Sequence, residues 1–174
     1  MVFAQGYFFY VSIEMTSSQH CPCGHGQYAA CCQPLHLKQQ FAQNAEQLMR
    51  SRYSAFALQQ IDYILETTAL GQQAALDRVA IADWSQSNQW LKLEVVQHQP
   101  KLDKTHALVE FKAHYCDQNQ GDKQAHIHHE ISHFVLHQQH WYFLDPTLDL
   151  QITMKQPCIC GSGKKFKQCC AQFI

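Results

Sequence analysis

The sequence predicts an α+β protein in which helices pack on one face of a curved antiparallel sheet, with a small metal-folded appendage at each end. Three observations lead there. Apolar residues recur at helical steps between residues 45 and 65, the period switches to alternation from Trp90 onward, and eight of the nine cysteines lie in two short clusters near opposite ends of the chain. With 174 residues and 46% hydrophobic content, the chain can build one dominant core plus small appendages but not two ordinary domains. Lys and Arg number 13 against 14 Asp and Glu, a formal charge of -1. No global basic field therefore points to nucleic acid or an anionic membrane, and any such contact has to be local.

The first element, residues 1–18, begins with the aromatic-rich run MVFAQGYFFYVSIE and holds no Lys or Arg. Lacking a basic start and a small-residue cleavage site, it does not read as a signal peptide. It reads as an apolar N-terminal arm that docks on the body, or as an upstream start with Met15 as the true first residue. The polar run Met15-Thr-Ser-Ser-Gln favours the second. No stretch approaches the roughly 18 apolar residues of a membrane span, so a cytoplasmic protein with no membrane insertion is expected.

The next element spans residues 19–36 and carries Cys21, Cys23, Cys31 and Cys32; the last spans 156–174 and carries Cys158, Cys160, Cys169 and Cys170. Each is a Cys-x-Cys, a Gly-containing turn and a vicinal Cys pair, so the two form an internal repeat. Four thiols in a dozen residues suit tetrahedral thiolate coordination, above all of Zn(II). Gly24 and Gly161, directly after the Cys-x-Cys, supply the backbone freedom that lets two closely spaced thiols converge. Two other readings carry less weight. Adjacent cysteines pair poorly in disulfides, and iron–sulfur ligands are usually spaced by two or more residues. A segment this small has no core of its own, and metal binding of about 10–16 kcal/mol in finger peptides would supply its folding energy.

The body begins with a helix over residues 45 to 65, where Leu48, Met49, Tyr53, Phe56, Ile61, Ile64 and Leu65 fall at steps of three and four. A weaker helical pattern covers Gln73 to Ser85, with Leu76, Val79, Ala80 and Trp84 on one face. Four strands follow, at Trp90–Val96, His106–Tyr115, Ala125–His137 and Trp141–Leu144, joined by polar turns. Cys116 at a strand end reads as a structural thiol.

The run Cys158-x-Cys-Gly-Ser-Gly-Lys-Lys-Phe-Lys-x-Cys-Cys170 resembles the SEC-C zinc motif, best known from the C-terminal tail of the bacterial preprotein translocase motor ATPase, where the last ligand is His. The first copy has seven residues between Cys23 and Cys31, where the second has eight between Cys160 and Cys169, which puts the geometry of the first site in question. From Cys21 onward the chain resembles the YchJ-type bacterial family, on Leu48-Met-Arg50-Ser-Arg52-Tyr53, Asp62-Tyr63, Glu130-x-Ser132-x-Phe134 and Trp141-Tyr142. That resemblance implies a nuclear-transport-factor-2-like (cystatin-like) cone over 45–150 between two zinc knuckles at 19–36 and 156–174, holding up to two Zn(II) per chain.

Cone-shaped domains of this class enclose a pocket between helix and sheet. The candidates for it are Arg50, Arg52 and Tyr53 on the first helix with Glu130 and Asp145 from the strands. An Arg52–Glu130 ion pair tying helix to sheet is the first expectation, since a guanidinium at a buried boundary needs a carboxylate; anchoring of a ligand is the second. His126, His128 and Glu130, alternating along one strand, could meet one metal, though histidines scattered over both faces weaken that reading.

The resemblance to SEC-C proteins implies a non-enzymatic adaptor whose knuckles dock protein or ribosome-associated partners. Lys164, Lys165 and Lys167 would be the contact in the C-terminal knuckle, because the first knuckle has no Lys between its ligands. The alternative is a small-molecule-binding protein or an isomerase- or hydrolase-like enzyme that uses the central pocket, with zinc purely structural. RNA binding through the same lysines is a weaker third reading, and no catalytic residue stands out.

Overall fold

The computed structural model describes residues 19–119 and 124–174. Both readings of the N-terminal run therefore fall outside the described residues, as does part of the turn at 118–122. Four α-helices precede four strands: α1 (Gln33–His36), α2 (Ala45–Ala57), α3 (Ile61–Glu66), α4 (Arg78–Ser87), β1 (Asn88–Gln99), β2 (His106–Asp117), β3 (Ala125–His137) and β4 (His140–Leu144). The strands form one antiparallel meander in sequence order, β1-β2-β3-β4, with the helices on its inner face.

The expected helix over 45–65 is two helices. Asn44 caps the first, its Oδ1 accepting from the Gln47 amide at 2.8 Å. At the other end Gln59 adopts φ +56, and the amide of Gln60 donates to Ala55 at 2.8 Å, which closes the helix in a Schellman turn. That position usually carries glycine. A glutamine there left no stop signal in the sequence, while Ile61, Ile64 and Leu65 kept the helical spacing running through the break.

The expected helix over Gln73–Ser85 is likewise divided, into a single 3₁₀ turn at Gln73–Ala75 and α4, which starts where Asp77 Oδ1 accepts from the amides of Val79 and Ala80. Its inward face is also corrected. Val79 is 69% exposed and Trp84 40%, whereas Ser85 is buried and Ile81 half-buried against the core. A cap that begins the helix at Arg78 sets its rotation, and the short apolar pattern alone did not.

Strand β1 is longer than expected and bulged. Its register against β2 slips between Trp90 and Lys92 and again between Val95 and Gln97, leaving Leu91 and Val96 as extra residues that face outward. Two bulges in one strand bend the sheet, which gives it the curvature a cone needs. The β3–β4 hairpin turns at Gln138 and Gln139, both with positive φ (48 and 65), as a tight hairpin of this hand requires. The far edge of β4 is covered by residues 67–69, with Ala69 N–Phe143 O at 2.9 Å and Phe143 N–Thr67 O at 2.8 Å.

Helix α2 is buried almost all round, including Ser51, Arg52 and Ser54. The sheet covers one side and the first cysteine segment covers the other. Phe134, Leu48, Ile64 and Val109 form the sealed centre between helix and sheet. A second apolar cluster joins Ala69, Val135 and Leu144 to Ile159 and Phe166, and so fastens the C-terminal segment to the opposite part of the body.

Candidate metal centres and central cavity

In the first segment the Cys21 amide donates to Gly26 O at 2.9 Å and Gly24 N to Cys21 O at 2.9 Å, folding Cys21-Pro-Cys23 into a tight turn. A 3₁₀ turn at Tyr28–Ala30 then swings Cys31 and Cys32 back onto it. The second segment repeats each step: Gly161 N–Cys158 O at 3.0 Å, Cys158 N–Lys164 O at 2.8 Å, and a 3₁₀ turn at Phe166–Gln168. Gly24 and Gly161 have φ of +82 and +81, a conformation that side chains resist. The residue missing from the first copy is taken up at the tip, where Lys164 has no counterpart between Gly26 and Gln27. The shorter loop therefore leaves the first site's ligand geometry intact.

The eight cysteines converge into the two expected groups of four, the sulfurs of each lying within 4.8 Å of one another. The separations are 3.5, 3.7 and 3.8 Å among Cys23, Cys31 and Cys32, and 3.6 and 3.9 Å from Cys169 to Cys160 and Cys170. A tetrahedron with Zn–S near 2.3 Å has edges of about 3.8 Å. All nine cysteines are free thiols. Hydrogen bonds from Cys23 and Cys32 hold the Cys21 thiol below its ordinary pKa, and those from Cys158 and Cys170 do the same for Cys160. Burial pushes Cys31 up to about 12 and Cys169 up to about 11. Four sulfurs sharing protons in this way are a donor set that a soft divalent cation satisfies and a proton satisfies poorly.

Each group is tied to the body by a different device. On the first, His36 Nε2 donates to Ser51 O at 2.9 Å, while Nδ1 accepts from Tyr28 Oη at 2.8 Å. Ser54 Oγ lies 3.4 Å from Cys21 Sγ. Arg50 also belongs here, and this corrects the expectation that it lines the central pocket. Its Nη1 donates to Cys23 O at 3.2 Å and its Nε to Glu46 at 2.8 Å. Arg50 lies one turn before Ser54 on the knuckle side of α2, so its contacts stay on that side of the helix.

On the second, Gly71 N donates to Ile159 O at 2.7 Å, and a Cβ at Gly71 would meet the Ile159 backbone at 2.9 Å. His106, sealed at 2% exposure, places Nε2 at 3.3 Å from Cys170 Sγ and Nδ1 at 2.9 Å from Asp103. Asp103 Oδ1 in turn accepts from the amides of Thr105 and His106, which fixes the ring. Sequence reasoning passed over Asp103, His106, Ser54 and Gly71. The signal for the histidine was slight: an Asp three residues before it at a strand start. Lys164, Lys165 and Lys167 are all exposed.

Between α2, α4 and the inner face of β2 and β3 lies a cavity of about 290 Å³. Arg52, Tyr53, Glu130 and Asp145 all line it. The expected Arg52–Glu130 ion pair does not form. Arg52 Nη1 donates instead to Ile64 O and Thr67 Oγ1, both at 2.7 Å, and the guanidinium stacks over Phe143 at 4.5 Å. Glu130 accepts from His128 Nε2 at 2.8 Å and from Ser132 Oγ. Arg52 thus ties α2 to the end of α3 through backbone and hydroxyl acceptors and meets the sheet through the Phe143 ring. His126 stacks on Tyr115 rather than joining His128 and Glu130, and those three do not converge on a metal position.

Burial works against the Glu130 carboxylate, but the His128 and Ser132 hydrogen bonds outweigh it and hold its pKa below the usual range. The same bond raises that of His128. The lowered carboxylate contributes stability above its unfolded pKa that is lost as pH falls through its folded one. The raised imidazole contributes below its unfolded pKa, near 6.5, and that share is lost as pH rises through its folded pKa. His128→Ala is therefore expected to destabilise the protein more at pH 6 than at pH 8.5 in urea titrations. An equal difference at both pH values would contradict the pairing.

Among the described residues no helix is long and apolar enough to cross a membrane. The family model described as the YchJ middle nuclear-transport-factor-2-like domain matches residues 44–146, and that of the SEC-C motif matches 154–172. A UPF0225 protein of Actinobacillus succinogenes is 47% identical over 155 residues, covering 88% of this chain and 97% of that one. The crystal structure of a SEC-C motif-containing protein from Psychrobacter arcticus superposes with a TM-score of 0.81 at 46% identity, over 91% of this chain and 98% of that one. The solution structure of another, from Rhodopseudomonas palustris, gives 0.66 at 34% identity, over 73% of this chain and 96% of that one. With a cone-shaped body between two four-cysteine segments, and these likenesses along nearly its whole length, the chain belongs to the YchJ family, whose curated members carry the name UPF0225 protein.

Proposed function

We propose that the protein is a cytoplasmic zinc-binding adaptor, with one Zn(II) in each four-cysteine cluster, whose C-terminal knuckle docks an acidic surface of a protein or ribosome-associated partner. The observation that carries the reading is the pair of sulfur clusters, spaced as a zinc tetrahedron requires, the second of which displays three exposed lysines at its rim. A metal with four thiolates is formally dianionic, and lysines close by offset that charge while leaving their ammonium groups to solvent. Because Ile159 is buried against Gly71, the knuckle is held to the body instead of trailing from it, so the backbone that carries the lysines is anchored. An anchored loop loses less backbone entropy on docking than a mobile one.

The test compares affinity capture by the wild-type chain and by the full-length variant K164E/K165E/K167E, with zinc content measured in both. An acidic protein retained by the first and lost by the second, at equal zinc content, supports the adaptor. An unchanged set of partners removes it. Should capture instead vanish with nuclease treatment and fall steeply with salt, the lysines read RNA phosphates rather than a protein.

A further inference from the structure

The central cavity is walled by aromatic rings on one side and holds a buried cation on the other. Arg52 is 8% exposed, and burial pushes its pKa down to about 10 even though Tyr63, Asp145 and Glu130 act in the opposite direction. Among the described residues its hydrogen bonds all leave from Nη1, to Ile64 O, Thr67 Oγ1 and, at 3.3 Å, Thr68 Oγ1. The Nε and Nη2 edge, the side that grips two oxygens at once, has no acceptor there.

The carboxylates nearby act on it through space, without a hydrogen bond to it. Both Glu130 oxygens are taken by His128 and Ser132, and Asp145 Oδ1 accepts from the amide and hydroxyl of its own turn residue Thr147, at 2.8 and 2.6 Å. Among the described residues the cavity thus offers a cationic donor edge without an acceptor, beside a Glu130 carboxylate whose two oxygens are already supplied with donors. A charged donor edge is met by acceptors and not by further donors, so a ligand that brings two acceptor oxygens gains more here than one that brings donors.

The remaining wall is apolar. The rings of Phe56 and Trp84 stand 5.5 and 6.1 Å from that of Trp90, at 37° and 83°. All three line the cavity, and Trp84 is 40% exposed. The space, about 290 Å³, lies at the lower end of the range for small-molecule sites. We propose that this cavity binds a small aromatic monocarboxylate, whose two oxygens take the free edge of Arg52 while its ring lies among Trp84, Trp90 and Phe56. The site is independent of the metal clusters and of the partner-docking role.

The experiment titrates the zinc-loaded full chain by calorimetry with three probes that share a phenyl ring and differ in head group: phenylacetate, phenylacetamide and phenethylamine. Phenylacetate is expected to bind one per chain, the amide more weakly and the amine not measurably. R52Q is expected to weaken phenylacetate by roughly 10- to 100-fold, the loss of a charge-assisted pair. Arg52 also ties α2 to the end of α3, so circular dichroism accompanies that variant. If R52Q does not fold, W84A decides instead, since it removes a partly exposed wall residue and is expected to weaken phenylacetate several-fold. No binding of phenylacetate, equal binding of all three probes, tighter binding of the amine, or phenylacetate affinity unchanged in the folded variants would each overturn the proposal.

Discussion

Cys160→Ser is expected to leave the chain with one zinc instead of two, to leave the first knuckle loaded, and to open residues 154–174 to trypsin at Lys164, Lys165 and Lys167. A dozen residues with two 3₁₀ turns bury too little apolar surface to hold themselves together, and the interior they share with the body is small, a cluster around Ile159 and Phe166 and the contact of Cys170 and Phe173 with His106. Metal binding worth about 10–16 kcal/mol in finger peptides is far larger than such a contact. Loss of one of four ligands should therefore melt the knuckle while the body, with Phe134, Leu48 and Ile64 sealed in a separate core, stays folded. Cys23→Ser is the mirror case. It should free the other end, and because Cys23 O accepts from Arg50 and Cys21 faces Ser54, helix α2 should lose its outer cover as well. Native mass spectrometry reads the metal count and limited proteolysis the location. Two zinc ions retained by Cys160→Ser, or cleavage that spares its C-terminal end, would contradict the assignment of ligands.

What the sequence announced and what it concealed follow from how far apart the interacting residues lie. The two cysteine clusters were legible because their ligands sit within a dozen residues of one another, so spacing alone encodes the site. The meander was legible for a similar reason, since hairpin partners follow one another along the chain. Breaks were not. The stop after Ala57 rests on Gln59 adopting a conformation that glycine usually signals, and the curvature of β1 rests on bulges at Leu91 and Val96 that a period-two reading absorbs without notice. The pocket residues were half legible: Arg52, Tyr53, Glu130 and Asp145 do meet, but their pairing depended on which neighbours reached each group first. Ser132 and His128 sit two residues either side of Glu130 on the same strand face and satisfy it locally, leaving Arg52 to the carbonyl and hydroxyls at the end of α3. Arg50, two residues earlier, turned to the other side of the helix and to a covering element that no helical period reveals.

His106→Ala is expected to weaken zinc at the C-terminal cluster by roughly 10- to 100-fold, the usual cost of removing a group hydrogen-bonded to a metal ligand, and to leave the N-terminal cluster unchanged. A metal-bound thiolate carries no proton, so a hydrogen bond between His106 and Cys170 requires the proton on Nε2, and Asp103 holds the ring so that this nitrogen faces the sulfur at 3.3 Å. The bond lies in a fully sealed place, where His106 is 2% exposed, Cys170 is 0% exposed and the ring stacks on Phe173 at 4.2 Å. In such a setting a lost donor leaves the sulfur's excess charge without compensation from water. Among the described residues the first cluster has a serine hydroxyl, Ser54 at 3.4 Å from Cys21, in the comparable role. One molecule therefore carries its own control: release of zinc to a chromophoric chelator should show two phases, of which only one accelerates in His106→Ala. His106→Gln, which retains an N–H donor at similar reach, should restore part of the slow phase, whereas loss of packing alone would leave both variants alike. Acceleration of both phases, or of neither, would sever the histidine from the metal site.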